Sequence, residues 1–141
     1  MRKITIAIDG HSSTGKSTVA KQLADYLGYI FVDSGAMYRA VTLFALRKGF
    51  ISETHFDKEK LIGSLREIQL AFKKNKEEKA EMYLNDKNVE KQIRTLEVSE
   101  FVSPIATVSE VRKKLVEQQQ EMGKEGGIVM DGRDIGSVVF P

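Results

Sequence analysis

Gly10-His11-Ser12-Ser13-Thr14-Gly15-Lys16-Ser17 matches the spacing G-x-x-x-x-G-K-[ST]. Residues of these types at this spacing suit one chemistry, the cradling of a phosphate chain. The glycines let the backbone wrap so that its N–H groups point inward at phosphate oxygens. A helix opening near Lys16 adds the positive end of its dipole. Lys16 can reach β- and γ-phosphates, and the Ser17 hydroxyl can ligate Mg²⁺. Gly10 through Thr18 is therefore expected to hold ATP. An imidazole is not required in such a loop, so His11 is incidental to its chemistry, as is His55.

Asp131 follows the apolar run Ile128-Val129-Met130 and resembles the strand-end carboxylate that orients Mg²⁺ and its waters. A turn aspartate capping the next segment is the plainer alternative. Arg39, Arg94, Arg112 and Arg133 lie in or near segments that could face the loop. Their planar guanidinium groups suit a substrate phosphate held bidentately, although ordinary salt bridges or caps use the same residue type. A GTPase needs N-K-x-D, and Asn75-Lys76-Glu77-Glu78 fails at its last position. The dinucleotide fingerprint G-x-G-x-x-G is absent after the first strand. A phosphoryl acceptor site is the better-supported idea because these four arginines could face the loop, and no Ser/His/Asp or Cys/His nucleophile arrangement stands out.

These residues need elements to position them. Ile4 to Ile8 alternates Ile with Thr5 and Ala7, a strand uncharged on both faces and so suited to a parallel sheet. After the loop, Val19, Leu23 and Leu27 give a helical period stopped by Gly28, and Tyr29 to Val32 is a second strand ending at Asp33. Ala36 to Lys48 reads as a helix with Met37, Val41 and Phe44 on one side and Gly49 as its stop. Asp57 is placed to cap another helix carrying Leu61, Ile62, Leu65 and Ile68. From Gln69 to Val89, short strands are separated by Asn75-Lys76 and Asn85-Asp86. A helix over about 95–103 is expected to stop at Pro104, and one over about 107–122 to start at a Thr107/Glu110 capping box and end at Gly123. Gly127 to Met130 is a third buried strand, delivering Asp131 to Asp134 at its carboxyl end. Ligands of open α/β sheets bind at such ends.

A net charge of +2 is too small to indicate a nucleic-acid partner, and charge runs such as Lys73 to Lys79 mix signs as solvated faces do. No apolar run approaches the roughly 20 residues that cross a bilayer. Zero cysteines exclude disulfides and thiolate metal sites. The short charged start lacks a signal peptide's pattern, so a cytoplasmic location is expected.

Asp33-Ser34-Gly35-Ala36-Met37-Tyr38-Arg39, the step Ile93-Arg94-Thr95, and Asp131-Gly132-Arg133-Asp134-Ile135-Gly136-Ser137-Val138-Val139-Phe140-Pro141 resemble the bacterial cytidylate kinases, over essentially all 141 residues. The resemblance implies an α/β fold of the P-loop NTPase type, three-layered around a parallel sheet. It implies a core over 1–34 and 106–141 and a small α+β nucleoside-monophosphate-binding insert over 35–105. It implies ATP-dependent phosphorylation of CMP, with dCMP expected alongside, using ATP and Mg²⁺. Lys16, Arg39 and Arg133 would be catalytic, and Ser17 and Asp131 would serve the metal. Ser34, Arg39 and Arg133 would hold the acceptor and its phosphate, with Tyr38 beside them in the same signature. Ser103, Arg112 and Asp134 would face the cytosine. The chemistry fits: a carboxylate accepts from cytosine N4, while Arg112 and Ser103 can donate to N3 and O2. No nucleic-acid or membrane partner is expected, and the chain is expected to be a monomer.

The sequence departs from the family pattern in two places. His11-Ser12-Ser13-Thr14 replaces the more usual Pro-Ser-Gly-Ala. The chain ends at Pro141, before the family's later strands, its lid arginines and a ribose-contacting carboxylate; recognition elements without a complete active site are the expectation. The residues alone also fit a P-loop kinase for AMP or shikimate, or a nucleotide-binding fragment without activity. A panel of bases separates these.

Overall fold

The alternating start gives β1 (Thr5–Asp9), and the apolar stretch after Gly28 gives β2 (Ile30–Asp33). The computed structural model describes residues 4–9 and 16–132; of Ala7, Asp9, Lys16, Ser17, Asp131 and Gly132 it describes the backbone. The last described strand, here β6 (Ile128–Gly132), lies between the first two in a parallel three-stranded sheet of order β1-β6-β2. That central position explains its composition, since Ile128, Val129 and Met130 are all buried.

Helix α1 (Lys16–Leu27) follows β1 across the phosphate loop. Its buried residues differ from the apolar period that marks the helix in the sequence. Ala20 and Ala24 are buried and cluster with Val129, and Leu23 packs against them in part, whereas Val19 is 57% exposed and Leu27 38%. Alanines four residues apart let the helix approach the central strand closely, a geometry that hydrophobicity alone does not reveal. Gly28 ends the helix as predicted. Its φ is +71°, Tyr29 N–H donates to Ala24 O at 2.8 Å, and Gly28 N–H donates to Asp25 O at 3.3 Å. This double closure needs a left-handed residue, which glycine supplies without strain.

The chain divides into two compact units: Met1–Ser34 with Phe72–Glu81 and Val116–Pro141, and Gly35–Ala71 with Met82–Leu115. In the first, short polar contacts join segments far apart along the chain. Thr5 Oγ1 donates to Gly123 O at 2.7 Å, and Lys74 Nζ donates to Gly28 O at 2.9 Å.

The second unit is mainly helical. Helix α2 (Ser34–Arg47) buries Met37, Val41 and Phe44 and is closed at Gly49. Helix α3 (Lys58–Ser64) is capped by Asp57, which accepts from Lys60 N–H at 3.2 Å. His55 is a loop staple: Nδ1 lies 2.8 Å from Ser52 Oγ, and Nε2 lies 3.2 Å from Gly49 O. The predicted short strands, which the division into units cuts across, are β3 (Leu70–Lys74), β4 (Ala80–Leu84) and β5 (Lys87–Asn88), in a sheet of order β3-β4-β5. Asn85 and Asp86 turn β4 into antiparallel β5 with φ of 49° and 68°, the left-handed pair that a two-residue hairpin requires.

Pro104 does not stop a helix. Helix α4 (Leu96–Ala106), capped by Thr95, runs through it. The lost hydrogen bond is the one to the carbonyl of Glu100, an exposed residue, where water can replace it. Thr107 closes α4 rather than opening the next helix, its Oγ1 donating to Pro104 O at 2.7 Å. The predicted capping box is thus absent, and Glu110 instead accepts from Ser109 Oγ at 2.9 Å. Helix α5 (Ser109–Glu125) also passes Gly123, and the turn falls at Gly126 and Gly127, with φ of +71° and +72°. Among the described residues no helix is long and apolar enough to cross a membrane.

Candidate functional site

The parallel register brings the informative strand ends to one edge. Asp131 sits beside Ile8 of β1 and Asp33 of β2, and Asp9 pairs with Gly132. β1 therefore hands over to the phosphate loop one residue beyond the rung that holds Asp131. Helix α1 opens at Lys16, so Lys16 and Ser17 lie in its first turn, where free N–H groups and the helix dipole favour anions. Thr18 follows on the same turn and is exposed. Gly10, His11, Ser12, Ser13, Thr14 and Gly15 lie outside the described residues, as do Arg133 and Asp134. β2 passes without a break into α2, and Ser34 is the first residue of that helix. Composition alone did not single out Asp9; its register position at this edge does.

In the second unit, α2 sends two adjacent side chains to two different helices. Arg39 Nη1 donates to Ser99 Oγ on α4 at 2.7 Å and to Ile93 O at 3.2 Å. Tyr38, its neighbour, has the Arg112 guanidinium of α5 as its nearby charge. Burial pushes the Tyr38 phenol above its ordinary value of 10.0, and the Arg112 guanidinium opposes that shift. Tyr38 is accordingly a neutral phenol over the working range, fixed beside a permanent cation.

Ser103 lies one helical turn beyond Ser99, so the two hydroxyl residues share a face of α4, and both are exposed. The structure thus groups Arg39 with Ser99 and Tyr38 with Arg112, while Ser103 joins the first pair by helical register. Arg94 is engaged elsewhere. Its Nε pairs with Glu90 Oε2 at 3.0 Å, and the other Glu90 oxygen accepts from Met82 N–H at 2.9 Å. Sequence reasoning passed over Ser99, whose spacing of four from Ser103 was its one available signal. Among the described residues no group of His, Asp and Glu side chains is arranged to hold a metal ion.

Comparison with known proteins identifies the family. The family model for cytidylate kinase matches residues 6–141. Proteins named cytidylate kinase from Flavobacterium psychrophilum and Flavobacterium johnsoniae are each 68% identical over the whole of this chain, which covers 63% and 62% of their respective lengths. One from Phocaeicola vulgatus is 61% identical over the whole chain, which covers 62% of that protein. The chain therefore spans less than two thirds of the curated relatives it matches. With the matching segment running from β1 to Pro141, this chain belongs to the cytidylate kinase family.

Proposed function

We propose that this chain serves the ATP-dependent phosphorylation of CMP, and of dCMP, to the diphosphate by direct in-line transfer. The observation that carries the reading is the shared edge of β1, β2 and β6, where Asp33 and Asp131 are register partners and α1 opens at Lys16. In this reading Gly10 to Thr18 hold the ATP phosphates, with Lys16 neutralising charge. A phosphate oxygen of CMP attacks the γ-phosphorus, and the bond to ADP breaks on the opposite side. Arg39 and Arg133 spread the charge on the transferring group, and no covalent enzyme intermediate is required.

The donor set assigned to Mg²⁺, the Ser17 hydroxyl and the Asp131 carboxylate, is entirely oxygen, as a hard dication prefers. Their backbone positions, the first turn of α1 and the end of β6, fit that role. When bound, Mg²⁺ supplies charge neutralisation at the phosphates. Ser34, Tyr38, Arg39 and Arg133 hold the acceptor nucleotide. Ser103, Arg112 and Asp134 read cytosine, and uracil, with O4 and a protonated N3, would leave the same groups mismatched. The division into a core over 1–34 and 106–141 and an acceptor-binding insert over 35–105 belongs to the same proposal.

Calorimetric titration with CMP, UMP, AMP and GMP tests it. CMP binding at least about tenfold tighter than UMP is expected. Preference for AMP would overturn the cytosine assignment, and absence of any binding would overturn acceptor recognition by this chain.

A further inference from the structure

We infer that Ser99 is a positioning residue, orienting Arg39 toward the phosphate of the acceptor nucleotide; the inference rests on the acceptor reading above. Arg39 carries five N–H donors in a fixed plane. Both hydrogens of Nη1 are committed, one to Ser99 Oγ at 2.7 Å and one to Ile93 O at 3.2 Å. Among the described residues, nothing engages Nε or Nη2. Those two nitrogens form the remaining parallel edge of the guanidinium, the edge that takes two oxygens of a phosphate side by side. Two acceptors on one nitrogen fix the rotation of the whole plane, because the group is rigid and delocalised.

The two acceptors are unlike. Ile93 is fully buried in the turn Gln92–Arg94, so its carbonyl is a fixed point. Ser99 is exposed, lies sixty residues along the chain from Arg39, and has no other role visible in the helix. Its hydroxyl supplies the second anchor that a single carbonyl cannot. A structural serine at an exposed helix position would have no need of the shorter of the two contacts.

The test uses Ser99→Ala and Ser99→Thr in the whole chain, with two readouts. Calorimetry with CMP and with cytidine separates phosphate from base and sugar. In Ser99→Ala, CMP affinity should fall about fivefold while cytidine affinity is unchanged, and Ser99→Thr should restore the parent value. Ser99→Ala on an Arg39→Ala background should have no further effect. Equal CMP affinity in Ser99→Ala and parent, or equal losses for CMP and cytidine, would overturn the inference.

NMR of the Arg39 guanidinium tests the positioning without any ligand. Rotation about the Cζ–Nη1 bond should be slow in the parent and in Ser99→Thr, and several-fold faster in Ser99→Ala. Unchanged rotation in Ser99→Ala would overturn the positioning itself. If the parent failed to bind CMP, the acceptor reading would fall, and the rotation rates would still decide whether Ser99 orients Arg39.

Discussion

Asp33 at the end of β2 and Asp131 near the end of β6 are register partners in adjacent parallel strands. Two carboxylate-bearing residues at neighbouring register positions are unfavourable in isolation, and a bound cation would offset that cost. The site assignment gives Asp131 to that cation. Asp131→Asn should therefore leave ATP binding without Mg²⁺ nearly unchanged, or slightly tighter. The gain in affinity on adding Mg²⁺ should shrink by about tenfold. Calorimetric ATP titrations with and without Mg²⁺ check this, and an undiminished Mg²⁺ effect would remove Asp131 from the metal's surroundings.

Arg39→Lys keeps the charge and loses the plane. An ammonium cannot hold Ile93 O and Ser99 Oγ while also presenting a parallel edge to a phosphate. CMP binding should weaken on the order of ten- to a hundredfold, and cytidine binding should hardly change. If lysine performed as well as arginine, charge alone would explain the site, and the contacts to α4 would be incidental.

Much of this arrangement is legible locally. β1, the loop and the start of α1 follow from a short alternating run and a glycine spacing. Gly28, Asp57 and Asn85-Asp86 end or turn their segments because each residue type acts on its own backbone. What escaped the sequence depends on distance in three dimensions. Val19 and Leu27 are the more hydrophobic choice for the buried side of α1, but the residues of that helix buried against Val129 are Ala20 and Ala24. Pro104 and Thr107 were assigned by residue type, whereas the helix extends past the proline because only one exposed-side bond is lost. Ser99 acquired meaning only when α2 brought Arg39 to it.

The buried stripe of α1 yields a stability test. Ala24 is 2% exposed and Ala20 fully buried. Ala24→Leu forces the helix off the sheet and should cost about 1–3 kcal/mol. Val19→Lys, on the exposed side, should stay within about 0.5 kcal/mol of the parent. Urea unfolding monitored by circular dichroism distinguishes them, and the reverse ranking would restore the Val19-Leu23-Leu27 face.

Gly28 isolates a purely conformational effect. A Cβ added there would meet nothing within 4 Å, yet φ is +71°. Gly28→Ala should therefore destabilise by about 1–2 kcal/mol through backbone strain alone. Gly28→Asn should cost less, because asparagine tolerates the left-handed region. Equal losses for the two variants in urea unfolding would mean that the strain is not the cause.

Tyr38 gives a dependence on alkaline pH whose sign is fixed by its surroundings. Burial raises the folded-state value above the ordinary 10.0, with Arg112 only partly opposing it. Above that ordinary value the tyrosine of the unfolded chain loses its proton before the folded one does. The unfolded state then binds fewer protons, so stability is fully present below about pH 10 and is lost as pH rises toward the raised folded value. Lysines titrate in the same window, so the observable is the difference between the parent and Tyr38→Phe. Tyr38→Phe should lose less stability than the parent as the pH is raised. Arg112→Met removes the charge that favours tyrosinate, so the folded-state titration of Tyr38 should move higher still. Tyrosinate absorbance against pH, with Tyr38→Phe subtracted, reads that movement directly. A downward shift in Arg112→Met would mean that the guanidinium does not stabilise the charged phenol, and the pairing of α2 with α5 through these two side chains would be lost.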